Sequence, residues 1–171
     1  MLLAGIFALS LAVAPECTAE HAVYKLRGTE VTAGFTKQAV RVQMTSDTFF
    51  WIRTEDGRKW WFAMWSPNGY GGAYLTPDKD ATRLTEADNN AARRNREETA
   101  HIDFDSFDEN FDHIPGPLQS DDPAPAHLFA RGLGPLLWYD SVIAANGDET
   151  APEESIPTAF YDRVGCDASA Q

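Results

Sequence analysis

Between Phe49 and Trp65 the chain is so rich in aromatic residues that any sheet built from it is apolar on both faces. Phe49, Trp51 and Arg53 alternate with Phe50, Ile52 and Thr54. Trp60, Phe62 and Met64 alternate with Trp61, Ala63 and Trp65. Four of the five tryptophans lie between Trp51 and Trp65. Period-two alternation of aromatic and β-branched residues predicts strands. One apolar face is enough to fold a small sheet. The second needs a cover, which the rest of the chain, a ligand or a partner must supply.

Ser46-Asp47, Asp56-Gly57 and Asn68-Gly69 read as two-residue hairpin turns. Such turns fix the register. Met44 is expected opposite Phe49, Trp51 opposite Phe62, and Phe62 opposite Leu75. The implied core face holds Val40, Val42, Met44, Phe49, Trp51, Phe62, Met64, Ala73 and Leu75. The other face carries Phe50, Ile52, Trp61, Ala63, Trp65 and Tyr74. Further strands are expected over Ala22–Arg27, Val31–Phe35, around Ile102 and Phe104, over Leu136–Ile143 and over Thr158–Val164, with bends at Gly28 and Gly34. Thr85 to Asp88 resembles a helix start, an N-cap threonine followed by an acid three residues on. Phe107 and Phe111 have the spacing of a helical turn, and Pro115 to Pro125 reads as a loop.

The fold class expected is mostly β: a single antiparallel sandwich or partly closed barrel with a minor helical excursion near Glu86–Glu98. The alternative is α+β, with Thr85–Phe111 helical and packed on the sheet.

The first fourteen residues carry no charge. They are too few to span a bilayer, which takes ~20 apolar residues, and they fit the apolar core of a secretory signal. Residues 1–19 are therefore read as a signal peptide, cut between 12 and 19, and 20–171 as a single β-rich domain. Export to a periplasm or the extracellular space follows. Cys17 and Cys166, the only cysteines, are expected to pair in an oxidising compartment. That pairing requires a cut before Cys17.

The net charge of −12 is concentrated from Glu86 onward, where the chain carries a net −13. Such a surface repels nucleic-acid phosphates and anionic lipid. No nucleic acid and no stable membrane insertion are expected, and no cofactor motif is present.

The acids Asp103, Asp105, Asp108, Glu109 and Asp112 form a weak calcium candidate. Phe107 stands where an EF-hand loop needs its third ligand, and the glycine and closing glutamate are absent. The four histidines lack metal-ligand spacing, and no serine sits in a nucleophile elbow. The surface the sequence singles out is a patch of Trp61, Trp65, Tyr70 and Tyr74 on the reverse face of the meander. It points to a non-catalytic module binding a protein or glycan partner. The alternative is a small secreted hydrolase whose site assembles from dispersed Asp, Glu and His.

Overall fold

The computed structural model describes residues 17–38, 45–66, 72–85, 87–88 and 100–166. The strands are β1 (Ala22–Leu26), β2 (Thr32–Lys37), β3 (Thr48–Arg53), β4 (Lys59–Trp65), β5 (Ala73–Asp78), β6 (Ile102–Phe107), β7 (His113–Ile114), β8 (His127–Arg131) and β9 (Tyr161–Cys166). Two short helices follow β8: α1 (Leu133–Tyr139) and α2 (Ser141–Ala144). All pairings are antiparallel. Taken in the order β1-β2-β3-β4-β5-β6-β8-β9, each strand pairs with the next, and β9 pairs with β1. The result is a closed eight-stranded up-and-down barrel, with β7 as a short appendage on β6. Among the described residues, closure leaves no long unpaired edge.

The disulfide Cys17–Cys166 fastens the seam between the first and last strands, where Ala22 is the ladder partner of Cys166. The chain ahead of β1 belongs to the fold. Ala19 is fully buried, its N–H donates to the Asp122 carbonyl at 2.9 Å, and Cys17 O accepts from Ala124 N at 2.8 Å.

The hairpin between β3 and β4 departs from the expected register. Thr54 N donates to Arg58 O and Gly57 N to Thr54 O, each at 2.9 Å, and Gly57 adopts φ 87°. The loop is thus Glu55-Asp56-Gly57, three residues with a left-handed glycine at the end, not the two-residue Asp56-Gly57 turn. The Asp56 carboxylate holds it by accepting from Thr54 Oγ1 at 2.6 Å and Arg58 N at 3.0 Å. One extra loop residue slips the pairing by one. Trp51 therefore stands opposite Trp61, and Phe50 opposite Phe62. A one-residue slip exchanges the faces, so Phe50 and Ile52 point into the barrel while Phe49 and Trp51 point out.

Between β4 and β5 the offset from expectation is two residues, with Met64 opposite Leu75 and Phe62 opposite Pro77. An even slip preserves the faces, so Phe62, Met64, Ala73 and Leu75 stay inside. The edges of β3 are taken by β2 and β4. Val40, Val42 and Met44, the neighbours expected of β3, lie outside the described residues. So do Asn68-Gly69, Tyr70 and the expected helix over 86–98, apart from residues 87–88.

The lumen is filled. Tyr24, Leu26, Phe50, Ile52, Phe62, Met64, Leu75 and Leu128 are fully buried. Phe50 stands among Phe35, Phe62, Phe104 and Tyr161 at ring-centroid distances of 5.3–6.3 Å. Eight strands enclose a bore just wide enough for such side chains, and here it is a packed core. Leu133, Leu136, Leu137 and Ala144 join the same cluster, so the helical pair closes one end of the barrel.

Leu136–Ile143, expected as a strand, is helical. Leu133, Leu136 and Leu137 fall on one helical face, and Pro135 sits in the first turn, where its missing N–H costs nothing. The Phe107–Phe111 stretch is not a helical turn. β6 runs through Phe107, and the chain then reverses through a tight turn with Asp108 N bonded to Asp112 O at 3.0 Å and Phe111 at φ 63°. Gly34 does not bend the chain but lies within β2.

Candidate binding surfaces and cleft

The outward tryptophan face has its own cover. Phe49, Trp51, Trp61, Ala63 and Trp65 form a second apolar cluster with Ala81 and Leu84, and Tyr74 packs against it. The segment Ala81–Arg83 is a 3-10 turn capped by Asp80, whose carboxylate accepts from Thr82 N at 2.9 Å. Thr85 and Asp88 then bond reciprocally, as the capping-box reading requires: Thr85 N donates to Asp88 Oδ2 at 3.1 Å and Asp88 N to Thr85 Oγ1 at 3.4 Å.

Trp61 and Trp65 lie on one face, but only 8 % and 7 % exposed. Trp65 Nε1 donates to Thr76 Oγ1 at 2.8 Å, and Trp51 Nε1 to Phe35 O at 3.3 Å. Tyr74 is half-buried and stacks on His101 at 4.7 Å. These indoles are therefore packing groups. Their cover is Ala81–Leu84, while Phe104 and Leu136 lie in the lumen cluster.

The acids Asp103, Asp105, Asp108, Glu109 and Asp112 do not converge. Asp103 sits on β6 opposite Tyr74 and Arg131. Asp105 approaches His113 at 3.5 Å, and Glu109 pairs with Arg163 at 3.2 Å. The Asp108 carboxylate accepts from Asn110 N and Asp112 N, shaping the turn after β6. Among the described residues no three His, Cys, Asp or Glu side chains are grouped to hold a cation. Beside this turn the Phe111 ring stacks on His127 at 4.0 Å. His127 meets Asp162 at 2.8 Å, and Asp162 accepts two bonds from Arg27, which hold its pKa below the usual carboxylate value.

Two features were missed in the sequence reading. The first is an exposed apolar shoulder on the helical pair. Trp138, Tyr139, Val142 and Ile143 are 43 %, 79 %, 39 % and 43 % exposed. Their spacing, Trp138 to Val142 and Tyr139 to Ile143, was the available signal, hidden by reading the segment as a strand. From Gly132 to Tyr161 there are five carboxylates and no Lys, Arg or His. Asp140, Asp148, Glu149 and Glu153 are exposed.

The second is a cleft of about 520 Å³ where the β3–β4 hairpin and the end of β5 meet the chain after α2. Arg58, Lys59, Trp60, Trp61, Asp78 and Asp80 line one side and the segment Ala144–Asp148 the other. The Lys59 ammonium lies over Trp51 and Trp61, 4.1 and 4.5 Å from the ring centroids. Burial holds its pKa below the ordinary lysine value, Arg53 adds to this, and Asp80 opposes it. Burial also pushes Asp78 up to about 6, against the hydrogen bond it accepts from Lys79 N at 2.7 Å. Burial thus shifts an acid up and an amine down in one cleft.

No family model, curated protein or solved structure matches the chain.

Proposed function

We propose that this protein is an exported, non-catalytic binding module that docks a partner protein on the α1–α2 shoulder. The observation that carries the reading is the cluster of four large apolar side chains, Trp138, Tyr139, Val142 and Ile143, left open on a surface that is otherwise acidic. Contiguous exposed apolar patches on soluble domains commonly mark interaction sites, and Trp and Tyr are enriched among the residues that anchor interfaces. The filled lumen supports a surface role over an internal carrier role. The disulfide and the lack of any helix, among the described residues, long and apolar enough to cross a membrane agree with export to the periplasm or beyond. Cleavage falls before Cys17 on this reading, because Cys17 is bonded and Ala19 is buried.

Charge selects the partner's chemistry. A second copy of this chain, or an anionic membrane, would bring negative charge against the carboxylates around the shoulder. A partner with an apolar centre ringed by Lys and Arg would meet both features.

The test is site-specific photo-crosslinking in the exporting cell. A photoreactive residue at Val142 should give one discrete adduct with a basic protein, and the same residue at exposed Thr82 should give none. Tyr139→Asp with Ile143→Asp should abolish the adduct without changing the melting temperature. Absence of a discrete adduct at Val142, or an adduct with a second copy alone, rules the reading out.

A further inference from the structure

The chain's four lysines do not share one environment. Lys25 pairs with Glu30 at 2.8 Å, Lys37 with Asp47 at 3.6 Å and Lys79 with Asp88 at 2.8 Å. Lys59 has no carboxylate partner among the described residues. It rests instead on two indole faces, half-buried, at the wall of an open cleft.

We propose that Lys59 is a ligand-capturing amine: the cleft takes small aldehydes or ketones on a flat apolar body, and Lys59 holds them as imines. The inference is independent of the docking shoulder and of its partner.

Three observations support the assignment. The cleft, at about 520 Å³, lies within the range that holds small ligands, roughly 300–1,000 Å³. Trp61, on the same strand face as Lys59, supplies aromatic wall beside the amine. Lys59 makes no ion pair with a carboxylate, and its burial and the nearby Arg53 outweigh Asp80 and lower its pKa, which leaves it more of the neutral, nucleophilic form. Lys25, Lys37 and Lys79 each make an ion pair with a carboxylate.

The step balances without an oxidant or a reductant. The neutral Lys59 nitrogen donates its lone pair to the carbonyl carbon, and the carbonyl π pair moves to oxygen, which takes a proton. The resulting carbinolamine loses its hydroxyl as water and its remaining N–H proton, leaving a C=N bond. Asp78 lines the same cleft, and its pKa of about 6 leaves roughly a tenth of it protonated at pH 7, an acid that can help the hydroxyl leave. Arg53, Arg58, Lys79, Asp80 and Asp148 are the other charges around the amine and the cleft.

The probe is benzaldehyde with sodium cyanoborohydride at pH 7, which reduces each imine to a stable benzylamine. Peptide mapping then gives a rate for each lysine and, separately, for the terminal amine. Lys59 should react at least about ten-fold faster than Lys25, Lys37 and Lys79, which are each held in an ion pair with a carboxylate. Its rate should also saturate with benzaldehyde, as binding before bond formation requires. Lys59→Arg keeps a cation over the indoles and should lose the fast label with an unchanged melting temperature. The map of the unaltered protein decides the matter even if that variant misfolds. Equal or slower labelling at Lys59 overturns the proposal. So does a fast label that rises linearly with benzaldehyde, because that describes an exposed amine and no ligand site.

Discussion

Gly34 on β2 is the ladder partner of Trp51 on β3, and the indole lies so close over it that a methyl group on Gly34 would stand 2.6 Å from Trp51 Cζ2. The Ala22 carbonyl would be 3.1 Å away on another side. The glycine is thus a seat for the ring and not a hinge. It lets Trp51 lie flat on the barrel wall, where the Lys59 ammonium covers it. Gly34→Ala should destabilise by about 1–3 kcal/mol through overpacking. Gly72→Ala is the control, since its methyl would meet nothing closer than 3.5 Å, and its effect should stay within about 0.5 kcal/mol. Urea titrations of the two variants check the contrast.

Trp65 and Trp138 give opposite expectations for one chemical change. Trp65 is buried against Ala81, Leu84 and the neighbouring indoles, and its Nε1 is hydrogen-bonded to Thr76. Trp65→Ala should lower stability by roughly 3–5 kcal/mol. Trp138 is exposed, and Trp138→Ala should change stability by less than about 1 kcal/mol. Thermal melts of both variants test the division between core and docking surface. A large loss at Trp138 would mean that the shoulder is structural.

The strands were legible because alternation survives errors of register, whereas faces do not. Phe62 and Met64 lie inside, as the alternation implies, although their β5 partners stand two residues from the expected register, because an even slip keeps the pleat. Phe49 and Trp51 were placed on the wrong side, because Asp56-Gly57 is compatible with both a two-residue and a three-residue loop. Short-range sequence cannot choose between them when both faces of the strand are apolar. Closure into a barrel was legible only as an option, since it depends on β9 returning to β1 across nearly the whole chain. Lys59 was hidden for a similar reason. Its place in the alternation beside Trp61 was visible, but the cleft exists only where the chain after α2 folds back on the hairpin.

Asp78 makes stability depend on pH in an unusual direction for a carboxylate. Its folded pKa of about 6 lies above the ordinary value of 3.8, with burial as the leading cause. Between those values the folded state binds more protons than the unfolded one, so this group's contribution falls as pH rises. The cost is absent below about pH 4 and complete above about pH 6, with a size of about 2–3 kcal/mol. Asp78→Asn removes the charge and leaves an oxygen to accept from Lys79 N. The variant should be about 2 kcal/mol more stable than the parent at pH 7.5 and nearly equal to it at pH 4. Denaturation at the two values tests this. Equal destabilisation at both would show that the carboxylate contributes through contacts and not through its titration.

The disulfide fastens the barrel at the closure most distant in sequence. Cys17 and Cys166 are 149 residues apart, yet their Cα atoms lie 5.7 Å from each other at the end of the β1–β9 ladder. Open, the unfolded chain must bring its two ends together without help. In the chain-entropy account a bridge over so long a loop stabilises by about 4–5 kcal/mol, acting on the unfolded state. The β1–β9 ladder pairs every residue of β1, with one bulge between Val23 and Tyr24, so loss of the bridge should not by itself change the fold. Cys17→Ser with Cys166→Ser should keep the native circular dichroism at low temperature and lose about 4 kcal/mol in denaturant. Amide exchange should rise first along β1 and β9, where the seam opens, and last at Phe50 and Phe62 in the middle of the meander. Uniform exchange across the barrel would mean that the bridge supports the whole structure and not its seam.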